Sequence, residues 1–202
     1  TIVYEDLNKD GNDRYDYILP KFDVIKKLNN NTNLQGDFSF KSQNLVRNYN
    51  TNVLEKININ DLIFTSYPKI NSSGFMNNYE FIIKNSNTDS KNSKKLKQND
   101  NVNLTGTYQF NSKMPLIKTS EDHQKILTPR ISLRVSPPHT KNDRNDDSQV
   151  DVNNIYSLNR LTDKDTLEEG FSLTYGGEYS IKQKDSFKDL FNFKFANNLR
   201  LS

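Results

Sequence analysis

Phe171-Ser172-Leu173-Thr174-Tyr175-Gly176-Gly177-Glu178-Tyr179-Ser180-Ile181 alternates without a break. Phe171, Leu173, Tyr175, Gly177, Tyr179 and Ile181 fall on one face; Ser172, Thr174, Gly176, Glu178 and Ser180 fall on the other. A side-chain period of about two belongs to extended chain, as one of about 3.6 belongs to a helix. The stretch is therefore a β-strand with one apolar and one polar face. The segment before it, from Val150 to Gly170, is too polar for a core.

The same alternation recurs along the chain, and no segment sustains a helical period. Tyr15, Tyr17 and Leu19 alternate, Pro20 interrupts, and Phe22 and Val24 resume in a new phase. Leu34, Gly36, Phe38 and Phe40 follow, then Val53, Glu55, Ile57 and Ile59, whose phase slips near Asp61 before Leu62, Phe64 and Ser66. Further runs are Asn77 to Ile83, Val102 to Phe110, Leu127 to Val135, and Phe191, Phe193 and Phe195. Strands are expected at 14–27, 31–43, 51–66, 76–88, 101–117, 126–137, 170–183 and 187–201, with a long loop over 137–170. The fold expected is all-β: an antiparallel meander of about eight long strands, a section of one large transmembrane β-barrel domain.

The barrel follows from three features. The strands reach or exceed the roughly 9–11 residues that cross a hydrocarbon core. The connections alternate short and long, like periplasmic turns and extracellular loops. The apolar face carries Phe, Tyr, Leu and Ile, yet the sequence supplies no helix or second layer to cover it. A closed sheet in lipid satisfies its backbone internally and leaves one face apolar and one polar. A soluble sandwich also alternates, but buries its apolar faces against each other.

Composition is consistent with that frame. Only 33% of the 202 residues are hydrophobic and mean hydropathy is −0.88, values that a disordered chain shares. The 12 Phe and 10 Tyr, regularly spaced, argue against disorder. The abundance of Asn and Lys reads as codon bias, which empties tracts such as Asn29-Asn30-Asn31, and sequons such as Asn71-Ser72-Ser73, of meaning. With 28 basic and 25 acidic residues there is no nucleic-acid footprint. With no Cys there is no disulfide or thiolate metal site. No signal peptide or apolar membrane helix is visible, and the chain opens and closes in strand-like phrases, so an internal section of a longer protein is expected.

Few motifs carry chemistry. Asp6, Asn8 and Asp10, with Gly11, fit the first half of a calcium loop, D-x-[DN]-x-[DN]-G. Tyr17 stands where the closing carboxylate belongs, and a polar turn into the Tyr15 strand is the competing reading. His123 and His139 have no partner at ligand spacing. Glu168-Glu169 has the composition of an acid–base pair but runs straight into Gly170. Lys91, Lys94, Lys95 and Lys97 form a basic loop suited to anionic headgroups or to solvent. Nucleophile, phosphate-loop and dinucleotide motifs are missing, so neither an enzyme nor a cofactor is expected.

Ile155-Tyr156-Ser157-Leu158-Asn159-Arg160-Leu161, followed by Asp165 and Glu168-Glu169-Gly170 and then the alternating strand, resembles a signature of the lipopolysaccharide-assembly LptD family. Lys164, Thr166 and Glu169 stand where that pattern has Gly, Arg and Gly. Tyr15-Asp16-Tyr17-Ile18-Leu19-Pro20 resembles an earlier strand of the same barrel. The resemblance implies the middle of an outer-membrane translocon that inserts lipopolysaccharide into the outer leaflet. Its implied partners are lipopolysaccharide, the lipid bilayer, an LptE-like plug lipoprotein, and the periplasmic Lpt bridge reached through an N-terminal domain. Within it, Asn159, Arg160 and Asp165 are expected to form a hydrogen-bonded set, because Arg pairs with carboxylates in a forked geometry. Another outer-membrane barrel, a porin or receptor, and a secreted or surface β-protein that binds calcium or sugar are the alternatives.

Overall fold

The computed structural model describes residues 2–50, 52–94, 96, 98, 100–138, 150–161, 165–186 and 188–201, with residue 12 described by its backbone. His139, Lys95, Lys97, Lys164 and much of the 137–170 loop lie outside the described residues. The strands are β1 (Ile2–Glu5), β2 (Tyr15–Leu28), β3 (Gly36–Tyr49), β4 (Val53–Ser66), β5 (Lys69–Ile70), β6 (Met76–Lys91), β7 (Asn101–Lys113), β8 (Leu116–Thr119), β9 (His123–Ser136), β10 (Gly170–Gln183) and β11 (Asp189–Leu201). They form one antiparallel sheet of 11 strands in meander order, with β5 alongside β6 and β8 alongside β9. The sheet does not close, and β1 and β11 are its edges.

The additional strands have simple origins. Lys113 pairs with Arg130 and Leu116 with Leu127 in one register, so β7 and β8 are a single strand nicked at Met114-Pro115. Proline has no N–H to give the ladder. β1 extends the sheet beyond the expected strands by pairing Ile2 with Ile18.

Several expected strand boundaries need correction. The 31–43 strand instead runs from Gly36 to Tyr49. The Asn30 side chain holds the residues before it in a turn, donating to the Leu34 carbonyl at 2.6 Å and to the Gly36 carbonyl at 2.7 Å. The connection between the expected 31–43 and 51–66 strands is therefore a short turn after Tyr49, with Asn50 at φ 46°. The 76–88 strand extends to Lys91, and the 126–137 strand begins at His123.

The phase slip at Asp61 is a change of faces and not of register. The pairings of β4 with β3 and β6 continue through it without a register shift. The backbone is regular there and the apolar residues change sides: Leu62 and Phe64 lie on one face, Ile57, Ile59 and Ile63 on the other. The change of phase at Pro20 is, by contrast, a real irregularity, since the β2–β3 register shifts between Ile18 and Lys21.

One face is aromatic. Phe38, Phe81 and Tyr79 surround the fully buried Phe64 with ring centroids 4.6, 5.3 and 5.7 Å away. Farther along the same face, exposure is inverted relative to a soluble protein. On β10, Thr174 is 2% exposed and Tyr175 is 43% exposed; on β9, Arg134 is 3% and Leu133 38% exposed. The polar face is the covered one.

Candidate functional site

The described residues of the segment before β10, 150–161 and 165–169, cover that polar face. It starts in a turn locked by Asp151, whose Oδ1 accepts the Asn153 and Asn154 amides at 2.8 and 3.0 Å. Those amides hold the Asp151 carboxyl below the usual carboxylate range. The Asn153 Oδ1 accepts from Lys194 Nζ on β11 at 3.2 Å. The chain then crosses the sheet. Gln109 Nε2 on β7 donates to the Tyr156 carbonyl at 2.7 Å, and the Arg130 guanidinium of β9 lies 4.3 Å from the centroid of the Tyr156 ring. Ile155 and Leu167 are buried, giving the segment a small apolar anchor.

Arg160 is the centre. It is 4% exposed. Its Nε donates to Glu168 Oε2 at 2.9 Å, and its Nη2 lies 2.8 Å from the same oxygen. Nη2 also donates to Ser172 Oγ at 3.2 Å, and Nη1 to the Ile155 carbonyl at 3.5 Å. Arg134 reaches the same carboxylate with Nη1 at 3.8 Å while donating to the Leu158 carbonyl at 3.4 Å and to Thr107 Oγ1 at 3.3 Å. Arg200 closes the group, with Nη1 3.9 Å from Glu168 Oε1 and Nη2 donating to the Glu169 carbonyl at 2.9 Å. Three guanidinium groups from β9, the crossing segment and β11 thus converge on Glu168. Arg donors suit such a buried pairing because the guanidinium stays charged and spreads its donors in a plane.

The expected set is only partly what assembles. The carboxylate that meets Arg160 is that of Glu168. Asn159 Oδ1 accepts the Leu161 amide at 3.1 Å, shaping the local turn. Asp165 is half-buried and makes contacts of its own. Gly170 has φ 101°, a left-handed conformation that favours glycine, and turns the segment into β10. Gly176 lets the crossing segment approach: a Cβ there would stand 2.8 Å from the Tyr156 hydroxyl and collide with the Phe195 carbonyl. Burial raises the Tyr156 phenol above its ordinary pKa, against the opposing pull of Arg130. Its hydroxyl has no hydrogen-bond partner among the described residues.

Sequence reasoning passed over Arg134, Gln109 and Arg200. A signal for the first was present: in Ile131-Ser132-Leu133-Arg134-Val135 a charge occupies a polar-face position of a strictly alternating strand. Asp61 and Lys84, directly paired on β4 and β6, form a second buried ion pair on the same face, 2.7 Å apart.

The calcium-loop residues form the β1–β2 hairpin. Asp6 Oδ1 accepts the Asn8 amide at 3.1 Å, and Asp6 Oδ2 lies 3.7 Å from Lys9 Nζ. Asp10 is exposed in the same turn. Among the described residues no group of three His, Cys, Asp or Glu is arranged to hold a metal. No protein-family model matches the chain, and no curated protein matches it.

Proposed function

We propose that the chain forms a sector of a β-barrel in the bacterial outer membrane, with its aromatic face toward lipid and its segment-covered face toward the lumen. The carrying observation is the inverted burial: Thr174, Ser172 and Arg134 are covered while Tyr175, Leu133 and Phe195 are open. In water such an arrangement exposes the apolar side of the sheet; in a bilayer it is the stable one.

We further propose that the barrel takes part in inserting lipopolysaccharide into the outer leaflet, beside an LptE-like plug. This rests on the resemblance of Ile155 to Gly170, a stretch whose Arg160 and Glu168 tie it across the luminal face. Photo-crosslinking residues placed at Tyr175 and at Thr174 in the full-length protein test the placement. Tyr175 should capture phospholipid, and Thr174 should capture luminal or plug protein. Water reaching both positions equally would remove the barrel reading. Unchanged export of new lipopolysaccharide after depletion of the full-length protein would remove the transport role while leaving the barrel intact.

A further inference from the structure

The aromatic face changes chemistry over part of β3, β4 and β6. Ser42, Asn44, Asn58, Asn60, Asn85 and Asn87 stand in directly paired rows on it. They bond to one another: Ser42 Oγ donates to Asn60 Oδ1 at 2.8 Å, Asn60 Nδ2 to Asn58 Oδ1 at 2.6 Å, and Asn87 Nδ2 to Asn85 Oδ1 at 2.7 Å and to Asn58 Oδ1 at 3.1 Å. Asn58 Nδ2 reaches Asn44 Oδ1. Each carboxamide has two N–H donors and two lone pairs, so these mutual bonds leave capacity unspent. None of these side chains is fully buried.

Three of these amides, Asn44, Asn58 and Asn87, line a trough of about 440 Å³, within the roughly 300–1,000 Å³ of small-molecule sites. Its sides include Phe22 and Val102, which pair in register with Asn44 and Asn87 and are 49% and 72% exposed. Lys56 and Asp89 pair at 2.8 Å at the rim, and Asp100 adds a further carboxylate there. The trough thus combines carboxamide donors and acceptors, an open aromatic ring, and a small excess of negative charge at its rim.

We infer that this trough binds an uncharged saccharide. Vicinal hydroxyls match a carboxamide, which offers a donor and an acceptor side by side. The apolar C–H face of a sugar ring packs on Phe22. The carboxylate of Asp100 at the rim disfavours an acidic sugar. The inference goes beyond the barrel reading: the trough lies on the face proposed to meet lipid, where a lipid-borne sugar can reach it, and it gives the polar rows a partner on an otherwise apolar face.

The test uses the full-length protein purified from its native membrane in detergent. It is titrated with an array of neutral and acidic oligosaccharides, and with vesicles displaying the same neutral sugars on a glycolipid. A neutral sugar should bind, free or lipid-borne, and the arm that binds identifies the source. Asn58→Leu with Asn87→Leu should weaken it at least tenfold. Phe22→Ala, which leaves the amide rows untouched, should do the same, with strand content by circular dichroism unchanged in each variant. The inference is overturned if no neutral sugar binds, if acidic sugars bind better, or if Phe22→Ala binds like the parent. Failure of sugar binding alongside lipid crosslinking at Tyr175 would remove this inference and keep the barrel. The reverse result would do the opposite.

Discussion

Arg160 and Glu168 meet through a single carboxylate oxygen: both Nε and Nη2 of the arginine converge on Oε2, at 2.9 and 2.8 Å. The other oxygen, Oε1, faces Arg200 at 3.9 Å. Glu168 is thus the common anion of a group that joins the crossing segment to β9 and β11.

Glu168→Gln is expected to be the most damaging single change in the crossing segment. It leaves buried guanidinium groups without their counter-charge, at a cost of about 3–5 kcal/mol. Limited proteolysis should then cut within 150–161, where the parent resists. Pairing Arg160→Met with Glu168→Leu should recover only part of the loss, because Arg134 stays buried beside the missing carboxylate. Equal protease resistance of Glu168→Gln and the parent would show that Ile155 and Leu167 hold the segment without it.

The Asp61–Lys84 pair gives an independent check. Lys84 Nζ sits 2.7 Å from Asp61 Oδ1, and both side chains are largely covered. Asp61→Asn should destabilise the protein by about 3 kcal/mol, whereas Asp61→Leu with Lys84→Met should stay close to the parent. Urea unfolding in detergent micelles reads both.

Tyr156 offers a gain. Its hydroxyl is buried and has no hydrogen-bond partner among the described residues, so Tyr156→Phe should raise stability by about 1 kcal/mol while keeping the contact with Arg130. Gly176→Ala should act in the opposite sense, by about 2 kcal/mol, through the clash with Tyr156 and the Phe195 carbonyl. Gly106→Ala, whose new Cβ meets the Ile82 carbonyl at 3.3 Å, should cost less. Comparison of unfolding midpoints orders the three.

The Asp151 turn predicts a pH response. Its carboxyl is held below the ordinary value by the Asn153 and Asn154 amides. A depressed carboxylate pKa contributes stability above the unfolded value, about 3.9, and loses it as pH falls through the folded one. Protection of those two amides from hydrogen exchange should therefore be constant near neutrality and collapse below about pH 4. In Asp151→Asn the step should vanish. A step that persists in Asp151→Asn would assign it to another group.

The alternating pattern made β10 legible to the residue, from Gly170 to Gln183. The change of phase around Pro20 also corresponds to a physical irregularity in β2. The second half of β3 was not legible, since Gln43, Asn44, Asn48 and Tyr49 offer little hydrophobic contrast and are held extended by cross-strand pairing with β4. The side change at Asp61 showed as a phase slip with no bulge behind it, because periodicity reports which side is apolar and says nothing about whether the backbone is regular. For the site, Arg160 was legible as a carboxylate partner, but with Asp165 expected opposite it and Glu168 read only beside Glu169. Their convergence with Arg134 and Arg200 depends on strands far apart in the chain, and no local pattern encodes it.

The hairpin wiring also dictates an order of assembly. Neighbours joined by short turns, such as β3 and β4 around Asn50, close a small loop and can pair early. The cost of loop closure grows with length, though slowly, by about 0.6 kcal/mol per doubling. The β9–β10 pairing alone must wait for the long 137–169 connection to be drawn together. Once Ser136 and Gly170 are in register, Arg134 and Arg200 are brought to where Glu168 arrives, so the segment's anchor and the last long-range pairing form as one event. Refolding should accordingly show its slow phase at β9–β10, and that phase should lengthen when Glu168 is replaced.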